Sequence, residues 1–215
     1  MSSPTTPASI GPGEFFPVVG VGPHEKPWPE GEQYDPELLL NGDRRNVLDH
    51  YRYWTVEAIV KDLNTKRHKL QIAIENWQHD LNIGSIVRTA NAFNVSGVHI
   101  IGKRDWNKRG AMVTDRYLTV MHHPTIQDFA DYCKEQNLPI IGIDNVPGSK
   151  QLEPAVLPES CVLLFGQEGA GMSDEGIAVC EVLYEINQYG STRSMNASAA
   201  GAIAMYHWAL QHLPK

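Results

Sequence analysis

Apolar strand-like segments alternate with helix-like segments along most of this chain, and this alternation restricts the fold more than any other feature. Leu70, Ile72 and Ile74 form the first predicted strand. The segments that follow are, in order, NIGSIVRTANAF (helix), VHIIG (strand), TIQDFADYCKEQ (helix), PIIGID (strand), CVLLFG (strand), a short helix from Ser173, VLYEI (strand) and a last helix from Asn196. Strands that alternate with helices pack as a parallel sheet covered on both faces. The sequence therefore predicts an α/β fold with a parallel sheet flanked by helices.

The first 45 residues differ in composition from the rest of the chain. They contain eight of the 14 prolines and six glycines, and such a stretch is typical of extended or disordered chain. From Asn46 to Leu63, apolar side chains recur at three- and four-residue spacing, which predicts an amphipathic helix. The predicted organisation is a flexible Pro/Gly-rich extension at 1–45 and one domain at 46–215 that begins with a helix at about 46–63.

Hydropathy and cysteine usage exclude several classes of protein. No apolar run reaches membrane-spanning length, and the N-terminus lacks the pattern of a signal peptide, so we predict a cytoplasmic protein with no membrane partner. Cys133, Cys161 and Cys180 are far apart and in no metal-binding spacing. The nine histidines show no paired ligand pattern either, so we expect no bound metal.

One short segment is basic although the chain as a whole is acidic. The formal net charge of −7 argues against a broad electrostatic coating of nucleic acid, because such binding depends on neutralising many phosphates. Four cations nevertheless cluster around Trp106 at the predicted exit of a strand: Lys103, Arg104, Lys108 and Arg109. By itself, this cluster also fits an ordinary solvated loop.

Three segments place polar residues where the ligands of a parallel sheet bind, outside the carboxyl ends of the strands. LNIGSIVRTANAFNVSGV has Asn82 at a strand-to-helix junction and Arg88 in the helix that follows. LLFGQEGAGMSDE has Glu168 among three glycines after an apolar strand. QYGSTRSMNASAAGAIAMYHW has Ser194 and Asn196 at a helix N-cap, ahead of a helix of small residues. Taken separately, each also fits a purely structural role as a cap, a tight turn or a packed helix.

The glycines of the second segment do not form a familiar nucleotide-binding loop. The spacing from Gly166 to Gly171 matches a phosphate-binding loop, but Met172 stands where the phosphate-binding lysine is needed. The last glycine of a dinucleotide fingerprint is also missing. The segment therefore requires a different explanation.

Taken together and in this order, the three segments resemble the three motifs of the SpoU (TrmH-like) family, within the SPOUT superfamily of RNA 2′-O-ribose methyltransferases. The asparagine and arginine of the first segment, the G-x-E-G-x-G of the second and the S-x-N of the third match that pattern. The resemblance covers about residues 69–212. Met195 replaces a commoner leucine and Asn187 a commoner proline, and we expect both differences to have small effects.

The resemblance implies a SPOUT fold, in which a C-terminal trefoil knot binds S-adenosyl-L-methionine and a homodimer completes the site. It implies transfer of a methyl group to a ribose 2′-hydroxyl in structured RNA, either tRNA or rRNA. Contacts to the cofactor, mostly through backbone atoms, map onto Gly166, Ile186 and Met195, with Met172 close by. The basic cluster at Lys103, Arg104, Lys108 and Arg109 is assigned to RNA binding.

The same resemblance assigns catalytic roles to Arg88, Asn82, Glu168, Ser194 and Asn196. Arg88 would contact the ribose hydroxyl or its neighbouring phosphate and help to remove the proton, while the other four position the partners. Because a guanidinium has a pKa above about 12, we favour stabilisation of the developing alkoxide by Arg88 over a role as general base. The proton would then leave through the RNA phosphate or water.

Two other functions remain open at this point. A non-catalytic RNA-binding module could retain the knotted fold without the chemistry. A small-molecule or protein methyltransferase would not need the basic cluster, which disfavours it. The sequence does not distinguish tRNA from rRNA, and the predicted helix at about 46–63 is equally compatible with a contact to the dimer or to RNA.

Overall fold

The computed structural model describes residues 20–78 and 82–214. The chain separates into two compact units, with the division between Ile59 and Val60. The first unit contains short elements joined by turns. The second unit contains a seven-stranded sheet and most of the helices.

Short helices in the first unit are stabilised by local side-chain hydrogen bonds. Helix α1 (Pro36–Asn41) begins after Asp35, whose carboxylate accepts hydrogen bonds from the backbone N–H groups of Glu37 and Leu38. Burial alone would raise the pKa of Asp43. Hydrogen bonds from the Arg45 side chain and from backbone N–H groups, together with the charge of Arg45 at 2.7 Å, instead lower that pKa to about 2.

This unit differs from the prediction of a flexible extension and a helix at about 46–63. Its described part is ordered from Gly20, and residues 1–19 lie outside the described residues. Helix α2 (Val56–Asn64) begins ten residues later than predicted. The chain before it forms a 3-10 turn at Asp49–Tyr51 and a β-bridge at Trp54, and Thr55 Oγ1 accepts a hydrogen bond from Ala58 N. The apolar residues before Val56 therefore belong to a turn in which Tyr51 is buried and Leu48 is exposed, not to an amphipathic helix.

All strands of the second unit pair in parallel, which confirms the predicted sheet. The strands are β1 (His68–Asn76), β2 (Val95–Gly102), β3 (Val120–His123), β4 (Ile140–Ile143), β5 (Lys150–Gln151), β6 (Cys161–Phe165) and β7 (Val182–Glu185). Their order across the sheet is β3-β2-β1-β6-β4-β7-β5. The chain runs from β1 to β3 toward one edge and returns to β4 on the other side of β1. Ligands bind at such a change of direction, outside the carboxyl ends of the strands.

Helices cover both faces of the sheet, as the alternation of segments predicted. Successive side chains of a strand point to opposite faces, so Leu163 and Leu164 of β6 belong to two different hydrophobic cores. Helices α3 (Asn82–Ala92) and α6 (Ala197–His212) pack on one face. Helices α4 (Ile126–Glu135) and α5 (Asp174–Val179) pack on the other.

Two further expectations were the absence of a membrane-spanning segment and the presence of a trefoil knot. Within residues 20–78 and 82–214, none of the helices combines the length and the apolar character that crossing a membrane requires. The trefoil knot implied by the family resemblance stays a prediction.

Candidate active site

A cleft of about 520 Å³ lies at the carboxyl edge of the sheet. One wall is the end of β4 and its loop, residues 143–146, and a second wall is the glycine loop after β6, residues 165–172. The third wall is the segment that leads from β7 into α6, including Ile186, Gln188, residues 193–197 and Ala200. This volume is that of a typical small-molecule or cofactor site.

Side chains from all three polar segments form one hydrogen-bonded cluster at this cleft. The Asn82 amide donates to the Glu168 carboxylate, and the Asn196 amide donates to Asn82 Oδ1 at 2.8 Å. Asn196 Nδ2 also lies 3.1 Å from Glu168 Oε2. We refer to Asn82, Glu168 and Asn196 as the polar cluster.

Asn196 is the N-cap of α6, as the sequence predicted, and this role orients its side chain. Its Oδ1 accepts hydrogen bonds from the backbone N–H groups of Ser198 at 3.0 Å and Ala199 at 3.4 Å. Because the oxygen faces the helix, the amide nitrogen faces Asn82 and Glu168. The cap therefore fixes the donor end of Asn196 toward the polar cluster.

All four residues predicted to contact a cofactor line the cleft: Gly166, Met172, Ile186 and Met195. A Cβ atom added at Gly166 would lie 2.2 Å from Gly171 C and from Met172 N, so the close approach requires glycine. Reciprocal 3.0 Å backbone hydrogen bonds between Gln167 and Gly171 close the glycine loop. The loop is thus a compact turn whose backbone faces the cleft.

Of the remaining predicted catalytic residues, Ser194 lines the cleft and Arg88 does not. Arg88 lies on the exposed surface of α3, and its side chain has no hydrogen bond or ion pair with any residue in the part of the chain that the structure describes. It follows Asn82 by six residues, which places it about 120° away around the helix axis. Within one chain, the structure therefore separates Arg88 from the polar cluster.

The predicted RNA-binding residues lie in a loop that packs beside the start of α3. Lys103, Arg104, Lys108 and Arg109 are all exposed. Asn76 Nδ2 donates to the carbonyls of Lys103 at 2.7 Å and Asp105 at 3.0 Å. A Cβ added at Gly84 would lie 2.9 Å from Asn107 O, so the loop contacts the first turn of α3 directly. We call residues 103–109 the basic loop.

Sequence reasoning missed Asp144 and Asn145, which line the same cleft. Asp144 Oδ2 accepts a 2.7 Å hydrogen bond from Met172 N, and Asn145 Nδ2 donates to Arg193 O at 2.5 Å. Their position at the carboxyl end of β4 was the available signal, because the other polar segments also follow strands at this edge.

A buried carboxylate next to the glycine loop was also missed. Glu75 of β1 is fully buried and accepts hydrogen bonds from the backbone N–H and the hydroxyl of Ser173. Burial raises the pKa of Glu75, and the bonds from Ser173 partly oppose that shift. Ser173 is also the N-cap of α5, so Glu75 fixes the end of the glycine loop to the sheet.

No three His, Cys, Asp or Glu side chains among residues 20–78 and 82–214 come together in a group that could hold a metal ion. The polar cluster consists of two amides and one carboxylate. These groups can donate and accept hydrogen bonds.

The fold and the cleft define a parallel α/β protein with a cofactor-sized cleft at the carboxyl edge of the sheet. Residues 69–206 match the family model described as the SpoU rRNA methylase family. Since this match spans well over half of the chain, the protein belongs to the SpoU rRNA methylase family.

Among its relatives is the tRNA (guanosine(18)-2′-O)-methyltransferase of Borreliella burgdorferi, with 27% identity over 151 residues that cover 69% of each chain. The A. aeolicus TrmH/SpoU tRNA modifying enzyme shares the fold with a TM-score of 0.63 and 23% identity, over 73% of this chain and 83% of that one. AviRb from Streptomyces viridochromogenes, solved in complex with the cofactor AdoMet, has a TM-score of 0.61 and 23% identity, over 70% of this chain and 60% of AviRb. The aligned chain thus spans less than two thirds of AviRb.

Proposed function

We propose that this protein transfers the methyl group of S-adenosyl-L-methionine to a ribose 2′-hydroxyl of a structured tRNA or rRNA. The polar cluster carries this proposal, because side chains of all three SpoU-type segments converge at one cofactor-sized cleft. The name of the Borreliella relative describes the same reaction on tRNA, and the AviRb structure contains the cofactor.

The residues of the cleft suit this cofactor. Ile186 and Met195, both half-buried, offer apolar surface for an adenine ring, and the glycine loop offers backbone groups for its polar edge. The Glu168 carboxylate gives the cleft a negative charge, which favours a ligand with a sulfonium and an ammonium group. When bound, the cofactor supplies an activated methyl group, so the protein has mainly to orient an oxygen nucleophile toward it.

The side chains of this chain then have distinct tasks. Asn82 and Asn196 hold the Glu168 carboxylate, and Ser194 is exposed in the cleft where it can contact the incoming ribose. Arg88 stabilises the alkoxide that develops on the 2′-oxygen, since a guanidinium offers two parallel donors. The proton leaves through the RNA phosphate or water.

A homodimer is part of this proposal, because Arg88 does not line the cleft of its own chain. Helix α6 exposes three apolar side chains at helical spacing, Ile203, Tyr206 and Leu210. Helix α6 packs against α3, which carries Arg88. A second copy covering this face would bury apolar surface and bring the exposed surface of α3 close to another subunit.

The basic loop supplies the RNA contact in this proposal. Lys103 and Arg104 make no ion pair with any described residue, whereas Lys108 pairs with Asp115 at 3.1 Å and lies over the Trp106 ring. Free cations bind phosphates without competition. We also propose a cytoplasmic location, since the free cysteines, two of them buried, fit a reducing compartment.

The direct test is methyl transfer from labelled S-adenosylmethionine to purified tRNA and rRNA pools, followed by mapping of the modified nucleotide. We expect label in one pool at a nucleotide that resists alkaline hydrolysis, because a 2′-O-methyl group blocks cleavage. RNA binding without any transfer would instead support the non-catalytic module, and transfer to a base would contradict ribose chemistry.

A further inference from the structure

Two adjacent side chains at the end of β4, Asp144 and Asn145, each hold a different wall of the cleft. Asp144 Oδ2 accepts a 2.7 Å hydrogen bond from the backbone N–H of Met172, in the glycine-loop wall. Its carboxylate also limits the space beside Gly171, where an added Cβ would lie 2.9 Å from Asp144 Oδ2. The glycine loop is thus attached to β4 through one carboxylate.

Asn145 holds the opposite wall, the segment that leads into α6. Its Nδ2 donates a 2.5 Å hydrogen bond to Arg193 O, and Gln188 Nε2 donates to the same carbonyl at 3.2 Å. This carbonyl lies two residues before Met195. Without these bonds, residues 188–195 have no regular secondary structure to hold them.

The pair is itself fixed to the sheet. Asp144 N donates to Tyr184 O at 3.0 Å, Asp144 O accepts from Ser149 Oγ at 2.8 Å, and Asn145 N donates to Asp144 Oδ1 at 2.8 Å. Both oxygens of the carboxylate are therefore engaged by backbone N–H groups. Groups fixed in this way transmit the geometry of the sheet to whatever they bind.

We propose that Asp144 and Asn145 are positioning residues for the cofactor, and this inference rests on the proposed function. They set the distance between the glycine loop and the segment that contains Met195, so that backbone atoms on both walls reach the same ligand. Neither residue takes part in methyl transfer. Pre-organised walls bind more tightly because less loop ordering has to occur on binding.

The test uses Asp144→Asn and Asn145→Asp in the full-length protein. The first replaces one carboxylate acceptor with an amide donor that opposes a backbone N–H. The second places an acceptor opposite Arg193 O. Because a hydrogen bond of this kind is worth about tenfold or more in an equilibrium constant, we expect the Kd for S-adenosylhomocysteine, measured by calorimetry without RNA, to rise at least about tenfold.

Kinetics separate positioning from catalysis. In both variants the KM for S-adenosylmethionine should rise while kcat at saturating cofactor stays within about threefold of the parent value. Asn137→Asp is the matched control, since it makes the same change on an exposed residue at the end of α4. Asn145 is exposed as well, so Asn145→Asp carries the test even if Asp144→Asn fails to fold.

The outcomes are distinguishable. If the parent protein does not bind S-adenosylhomocysteine, the proposed function itself fails. If the parent binds it and both folded variants bind equally well, the inference about Asp144 and Asn145 is overturned. A fall in kcat at unchanged KM also overturns it, because that result would assign these side chains to the reaction.

Discussion

The amide of Asn196 donates a 2.8 Å hydrogen bond to Oδ1 of Asn82, although the two residues are 114 positions apart. The same Asn196 side chain caps α6 through its oxygen. One residue therefore links the start of α6 to the start of α3 and holds the polar cluster between them.

Asn196→Asp should separate these two roles. Aspartate caps a helix as well as asparagine, so we expect the free energy of unfolding to change by less than about 1 kcal/mol. The new carboxylate faces Asn82 Oδ1 and Glu168 without a donor, which should reduce methyl transfer about 100-fold. Denaturation measures the free energy of unfolding, and a methyl-transfer assay on the same preparation measures the activity. Asn196→Ala removes both the cap and the amide donor, so it should lose methyl transfer and also about 1 kcal/mol of stability. If Asn196→Asp were fully active, the hydrogen bonds donated by the Asn196 amide would not be needed for methyl transfer.

Arg88→Lys should reduce kcat by at least about tenfold, because an ammonium lacks the two parallel donors of guanidinium. Since Arg88 does not line the cleft of its own chain, the Kd for S-adenosylhomocysteine should remain unchanged. Single-turnover methyl transfer and calorimetry measure the two quantities. Arg44→Lys, on another exposed arginine, is the control. Near-normal transfer by Arg88→Lys would show that the forked geometry is unnecessary.

The double variant Lys103→Gln, Arg104→Gln removes two positive charges from the basic loop. It should bind RNA more weakly and bind the cofactor as well as the parent does. If each cation contacts one phosphate, the slope of log K against log salt concentration should fall by about two. RNA titrations at several salt concentrations measure that slope. The control replaces Lys61 and Lys134, which are exposed on α2 and α4, in the same way. Equal slopes for the two double variants would remove the basic loop from the RNA interface.

Gly166→Ala and Gly201→Ala should have opposite effects. At Gly166 the new Cβ would lie 2.2 Å from backbone atoms of the glycine loop, so the loop must move. We expect a loss of about 1–3 kcal/mol of stability and a clear loss of cofactor affinity. At Gly201 the nearest atom is Ile86 Cγ1 at 3.4 Å, and alanine in a helix gains up to about 1 kcal/mol. Denaturant unfolding compares the two, and a neutral Gly166→Ala would refute the close approach.

A buried histidine pair makes stability depend on pH. His99 donates from Nε2 to Gln71 Oε1 at 2.7 Å, and its Nδ1 therefore accepts from His123 Nε2 at 2.8 Å. Burial, followed by the neighbouring His123, lowers the pKa of His99 from 6.5 to about 3. Because the unfolded chain binds the proton more readily, stability is complete above about pH 6.5 and falls on acidification toward pH 3.

His99 should thus contribute a loss of about 2 kcal/mol in unfolding free energy between pH 7 and pH 5. Urea unfolding at the two pH values measures it. In His99→Phe, the difference in unfolding free energy between pH 7 and pH 5 should be smaller by about that amount. The variant should be less stable at both pH values, because Gln71 loses its hydrogen-bond partner. His50→Phe makes the same change at an exposed site. An unchanged pH dependence in His99→Phe would exclude His99 as its source.

Sequence periodicity was sufficient for five of the seven strands, but not for the short edge strands β3 and β5 or for the region before the sheet. Strands such as CVLLF are buried on both faces, so their apolar character identifies them locally. The predicted helix at about 46–63 was wrong at its start, because Asp49–Tyr51 pack as a 3-10 turn with helix-like spacing of apolar residues. Apolar spacing does not report how the backbone turns between the apolar residues, and one of these residues, Leu48, is exposed.

In the candidate site, too, some residues could be identified from the sequence and others only from the structure. Asn82, Glu168 and Asn196 were recognisable because each belongs to a motif of polar residues and glycines that a local reading can detect. Asp144 and Asn145 were not, since they act on backbone atoms 28 and 48 residues away. Arg88 was recognisable by its motif. The sequence did not indicate that Arg88 lies outside the cleft of its own chain.

By itself, the sequence determined the order of the helices and of five of the seven strands, the parallel sheet and the three polar segments at the ends of strands. Only the tertiary structure decided that the sheet runs β3-β2-β1-β6-β4-β7-β5, which brings the ends of β1, β6 and β4 side by side. The hydrophobic pattern specifies that a strand is buried, but all buried strands have similar patterns. The pattern therefore does not specify which strands lie next to each other. Which strands become neighbours depends on packing and hydrogen bonding between distant segments, and that choice assembles the polar cluster.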